Sequence, residues 1–146
     1  MWHKINNENE LIQFMEEVSY FHDSCIKEIS YLSGAYVTNK LSMFPINNCR
    51  KLRVIVQRQF ENLSTIEMEF IGLKQFNLIP VSDDYTCEIL DATMVMKDGC
   101  IYWCDCGELS KDDLDNYEGT LICSSEFRWR SVGNCLGEEY IYFPRD

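Results

Sequence analysis

The sequence predicts an α+β fold, with one N-terminal helix packed on a curled, mostly antiparallel β-sheet of about six to eight strands. Three observations point there. Near the N-terminus, and nowhere else, apolar residues recur at helical spacing. The rest of the chain reads as short alternating segments joined by turns to their sequence neighbours, as hairpins require. The crossover helices that a parallel sheet needs are missing. A β-sandwich or partly open barrel carrying the same helix is the variant this pattern leaves open. With 146 residues, 46% hydrophobic and 13% aromatic, the chain is read as a single domain, 1–146, with a sizeable core.

Taken in order, Leu11, Phe14, Met15, Val18 and Phe21 line one helical face, which predicts a helix from about Glu8 to Phe21. Asn7 is its expected N-cap, with the Glu10 carboxylate reaching back to the cap's N–H as in a capping box. Cys25 to Val37 favours strand, with a bulge expected near Ser33-Gly34. Leu41 to Ile46 reads as a short strand with Pro45 at its end. Leu52, Val54 and Val56 alternate with Arg53, Ile55 and Gln57, and Ile66, Met68 and Phe70 alternate with Thr65, Glu67 and Glu69. Folded as a hairpin, these stack the apolar set on one face and leave Arg53, Gln57, Glu67 and Glu69 on a wet one.

Leu73 to Pro80 is apolar and irregular. Asp98-Gly99 favours a two-residue turn with positive φ at both positions, which pairs Met96 with Ile101, Met94 with Trp103 and Thr93 with Cys104, and sets Asp91 opposite Cys106. Glu108 to Glu118 is a polar loop or one helical turn. Thr120 to Arg130 predicts a strand with Leu121, Cys123, Phe127 and Trp129 on one side and Ile122, Ser124, Glu126, Arg128 and Arg130 on the other. Glu139 to Phe143 reads as the last strand.

The net charge of −11 is concentrated. From Ser82 to Glu118 eleven carboxylates face only Lys97 and Lys111, for −9, whereas residues 1–60 sum to +1. Such a stretch repels nucleic-acid phosphates and membrane surfaces and attracts basic partners. No nucleic acid or membrane partner is therefore expected, and Asp83, Asp84, Asp112, Asp113, Asp115 and Glu118 are the candidate contacts for a basic protein. Arg128-Trp129-Arg130 is a second candidate patch, because Trp and Arg are enriched at binding hot spots; the competing reading buries Trp129 and has both arginines cap the wet face and pair with acidic neighbours.

No run approaches the roughly 18 apolar residues of a membrane span, and Met1-Trp2-His3-Lys4 lacks the apolar core of a signal peptide, so a cytosolic protein is expected. Its eight cysteines then read as reduced, small apolar residues. Cys104 and Cys106 share a strand face and are the candidate metal ligands. Zinc needs four ligands, however, and His3 and His22 lie at no ligand spacing, so no metal or other cofactor is expected. The sequence holds no nucleophile elbow, P-loop or dinucleotide fingerprint. His22 and Asp23, beside Ser24 and Cys25, form the one local acid/base or nucleophile candidate, set against a structural role in ending the helix.

A helix, then Phe21-His22-Asp23-Ser24, then a strand resembles the opening of a loose group of small bacterial proteins of uncharacterised function, some similar to immunity proteins that neutralise a partner toxin. The resemblance covers the first quarter of the chain and carries over no catalytic residue. What it implies, with the charge pattern, is a non-enzymatic protein-binding module such as an immunity-type inhibitor of a basic toxin. The alternative expectation is a small hydrolase or metal-dependent enzyme centred on His22 and Asp23.

Overall fold

The computed structural model describes residues 1–133 and 135–142. Its sheet has seven strands in the order β2-β5-β6-β9-β8-β7, formed by Ser24–Leu32, Lys51–Arg58, Thr65–Asn77, Leu121–Ser131, Cys100–Cys104 and Thr93–Lys97. The seventh, β1 (His3–Ile5), pairs antiparallel with β9. All pairings are antiparallel and the sheet stays open, so the fold is α+β and not a barrel. Among the described residues no helix is long and apolar enough to cross a membrane.

Helix α1 (Glu8–Glu17) starts at Asn7, whose side chain accepts from Glu10 N at 2.9 Å. The return contact of the capping box falls one residue earlier than expected, since the Glu10 carboxylate accepts from Asn6 N at 2.6 Å. The helix also ends earlier. After Val18 the backbone turns left-handed through Ser19, Tyr20 and Phe21, with φ of 51°, 52° and 62°. Each such non-glycine residue costs about 1–2 kcal/mol. The turn is held because Val18 and Phe21 are fully buried and Ala92 N donates to Tyr20 O at 2.9 Å. Phe14 packs against Phe127 and Trp129, and Phe21 edge-on against Trp103, which docks α1 on one face of the sheet.

The two central hairpins take the expected registers. Val54 lies opposite Met68 and Leu52 opposite Phe70; Met94 lies opposite Trp103, with Asp98 and Gly99 both at positive φ. Other segments differ. The first predicted strand stops at Leu32, its bulge falls between Ile26 and Glu28, and the chain leaves the sheet at Gly34 (φ 99°). There β3 (Tyr36–Val37) pairs only with β4 (Met43–Phe44), all that forms of the Leu41–Ile46 strand.

Strand β6 runs on to Asn77 through Gly72 (φ 65°). A Cβ at Gly72 would lie 3.0 Å from Ser125 Oγ, and near this close approach the alternation of both strands reverses. For that reason Ile122, placed on the solvent side by simple alternation, joins the main core with Phe127 and Trp129. Leu121 and Cys123 instead form a small cluster with Cys104 and Leu114 beneath the 105–120 segment. That segment holds one 3₁₀ turn, Asp113–Asn116. Residues 139–142 form no strand, and Phe143 lies outside the described residues.

Candidate functional site

The face of β5, β6 and β9 opposite the helix is not wet. Glu67 and Glu69 are each 2% exposed. The cross-strand rows explain why, because Arg53 lies opposite Glu69 and Glu69 opposite Arg128, while Glu67 lies opposite Arg130. Arg53 donates to Glu67 at 2.7 Å and sits 3.2 Å from Glu69. Arg130 meets Glu67 at 2.9 Å, Arg128 meets Glu69 at 2.5 Å, and Lys51 approaches Glu69 at 3.8 Å. Trp2 lies against both Arg128 and Arg130, each guanidinium 4.5 Å from its ring.

The 135–142 segment covers the rest of this face. Gln57 donates to Cys135 O and Gly137 O, Ile141 N and Tyr142 N donate to the Glu28 carboxylate, and Arg53 stacks on the Tyr142 ring. Burial disfavours the Arg53 charge, but Glu67 outweighs it and raises the guanidinium's pKa. Burial likewise pushes the Tyr142 phenol up. This arrangement corrects one expectation. Arg128 and Arg130 pair with buried carboxylates while about a third of each side chain stays exposed, and Trp129 is buried against Phe14 and His3, so the Trp129 ring is not an exposed hot spot.

His22 and Asp23 lie at the end of the left-handed turn. His22 Nδ1 is 2.5 Å from Leu90 O, and Nε2 is 3.5 Å from Asp23 Oδ2. The Leu90 carbonyl first, then the Asp23 charge, raise the imidazole's pKa above 6.5. Both ring nitrogens thus face acceptors. The Ser24 hydroxyl, 3.4 Å away, donates to the His22 carbonyl and not to its ring, and burial pushes the Cys25 thiol up, away from the nucleophilic thiolate. Asp23 N donates to Ile89 O, and Ile89 N to Ser24 O, so the junction ties the 82–92 segment to β2. Its visible role is to hold backbone.

The exposed carboxylates sit on two segments. Asp83, Asp84, Asp112, Asp113, Asp115 and Glu118 are all exposed. The chain flanking the two segments is tied at Thr120, whose Oγ1 accepts from Ile79 N at 3.0 Å. Ser110 N and Oγ both donate to Asp113 at 2.8 Å and hold its carboxyl below the usual range. Lys111 reaches Glu8 at the start of α1 at 2.7 Å, and Lys97 reaches Asp115 at 3.2 Å. Both lysines of the acidic stretch are therefore engaged, and the other carboxylates stay uncompensated by them.

Cys104 is buried, with its thiol pushed up to about 12 by burial, whereas Cys106 is exposed beyond the strand end. Asp91 packs against Gly107 and does not face Cys106 across a ladder. Among the described residues no three His, Cys, Asp or Glu side chains converge to hold a metal ion. In comparisons with known proteins, no family model, curated sequence or solved structure matches the chain.

Proposed function

We propose that the protein is a non-enzymatic binding module for a basic protein, an immunity-type inhibitor of a basic toxin being its concrete form. The observation that carries this reading is the exposure of Asp83, Asp84, Asp112, Asp113, Asp115 and Glu118 on two segments whose flanks are tied by the Ile79–Thr120 hydrogen bond, with both local lysines tied to carboxylates. A field of this sign accelerates encounter with a basic surface and repels phosphate-bearing ones. Its place is the cytosol, where free cysteines stay reduced.

The test compares wild type with the Asp112→Lys/Asp113→Lys/Asp115→Lys variant in pull-downs from the source lysate, eluted in salt steps. One basic protein released from wild type as salt screens the patch, and not retained by the variant, is the expected result. Equal retention by the variant, or capture of an acidic protein, overturns the reading.

A further inference from the structure

Between α1, the left-handed turn and the acidic loop lies a cavity of about 380 Å³. Its walls include buried Leu11, Met15, Ala92 and Met94, and two half-exposed side chains, Ile12 (51%) and Tyr20 (45%), stand beside them. Exposed apolar residues around a pocket mark a binding site more often than scattered ones do. Two acidic residues also line the cavity, half-buried Asp91 and exposed Glu108. Neither accepts a hydrogen bond or forms an ion pair among the described residues, although the Asp91 charge reaches the His22 imidazole; the neighbouring loop lysine, Lys111, is committed to Glu8.

The wall that brings these carboxylates to the cavity is built, not incidental. Thr93 Oγ1 donates to Cys106 O at 2.7 Å and accepts from Leu109 N at 3.1 Å, which pins the loop to β7. A Cβ at Gly107 would come within 2.7 Å of Asp91, so glycine is what lets the loop close on that side chain. Apolar walls with unpaired carboxylates select a ligand that is aliphatic along its length and cationic at its end.

We propose that this cavity is the anchor site for a long basic side chain, lysine or arginine, of the partner protein. Its methylene stem lies on Leu11, Met15 and Met94 and its cationic head pairs with Asp91 and Glu108. This deepens the reading of the protein as a binder of a basic partner and rests on it. A buried anchor surrounded by weaker contacts is how protein interfaces concentrate their energy.

The test needs no partner. The full ¹⁵N-labelled chain is titrated with n-pentylammonium and, separately, with 1-pentanol. The expected result is a saturable shift of the Ile12, Tyr20, Ala92 and Met94 amides with pentylammonium, at least about tenfold weaker for pentanol and for the Asp91→Asn/Glu108→Gln variant. Glu61→Gln, exposed between β5 and β6 and outside the cavity, keeps wild-type affinity. Equal affinity for the two probes, shifts spread without saturation over residues 112–118, indifference to the double substitution, or no saturable shift each overturns the proposal. Undiminished partner capture by the triple-lysine variant, with pentylammonium binding intact, would instead overturn the reading of the acidic field alone, so the two readings fail separately.

Discussion

On β6, Met68 and Phe70 point toward the helix, among Phe127, Trp129 and the rest of the apolar core, while Glu67 and Glu69 between and beside them point the other way, among arginines. Both sets are out of water. The first face is held by area removed from solvent, which is non-directional and tolerant of repacking. The second is held by charge pairs whose geometry is specific and whose members are costly when left alone. One strand thus carries two kinds of interior, and they should fail differently under mutation.

The largest effect should come from leaving a buried charge without its counterpart. Arg53→Met/Arg130→Met leaves the 2% exposed Glu67 carboxylate without either arginine and should lower stability by about 3–5 kcal/mol, comparable to Met68→Ala on the apolar face at about 2–5 kcal/mol. The faces separate when a set is replaced together. Arg53→Met/Glu67→Leu/Arg130→Met should recover most of the loss in urea unfolding, because apolar groups of similar volume replace a buried ionic set at little net cost. Failure of the triple replacement to recover stability would mean that the ionic layer is valued for geometry that packing cannot supply.

An intermediate effect should follow from uncovering the ionic face. Trp2→Ala removes a ring in contact with both Arg128 and Arg130, and at roughly 0.5–1 kcal/mol per cation–π contact the midpoint of urea unfolding should fall by the equivalent of about 1–2 kcal/mol. Trp2→Leu tests whether the covering is aromatic or merely apolar. Equal behaviour of Leu and wild type would assign the whole effect to burial.

This contrast also explains what the sequence disclosed. The helix face, the Asp98-Gly99 hairpin and the Leu52–Phe70 pairing are local patterns, each complete within about twenty residues, and all three form with the expected partners. The expected wet face is in fact buried, which the local pattern does not show because it sets Glu67 and Glu69 beside Arg53 alone. Their burial depends on Arg130, 63 residues from Glu67, and on a covering segment that meets Glu28 from 113 residues away. A signal was present, since Arg53, Glu67-Met68-Glu69 and Arg128-Trp129-Arg130 alternate with matching period and opposite charge. Recognising it requires knowing that β6 and β9 are neighbours, which no turn between them announces. Strand β1 was too short, at three residues, to show alternation. Of the site, the acidic loops were legible from composition. The placing of Asp91 and Glu108 at a cavity depends on the left-handed turn at Ser19–Phe21, which no glycine marked.

The smallest expected effect lies at the junction, where charge is exposed instead of buried, and it has a definite sign. The folded-state pKa of His22 is raised above 6.5 by the Leu90 carbonyl and the Asp23 carboxylate. Folding therefore favours the imidazolium, and its contribution is complete below the unfolded pKa and is lost as pH rises through the raised folded value. Comparing thermal midpoints of wild type and His22→Gln across this range, the wild-type advantage should be greatest near pH 5.5 and decline steadily above about pH 6.5. An advantage that stays flat with pH would assign the junction to hydrogen-bond geometry alone, and one that grows with pH would require the neutral ring to be the favoured form. The declining profile would assign the junction's contribution to the imidazolium, while the backbone bonds of Asp23 and Ser24 to Ile89 hold the 82–92 segment at every pH.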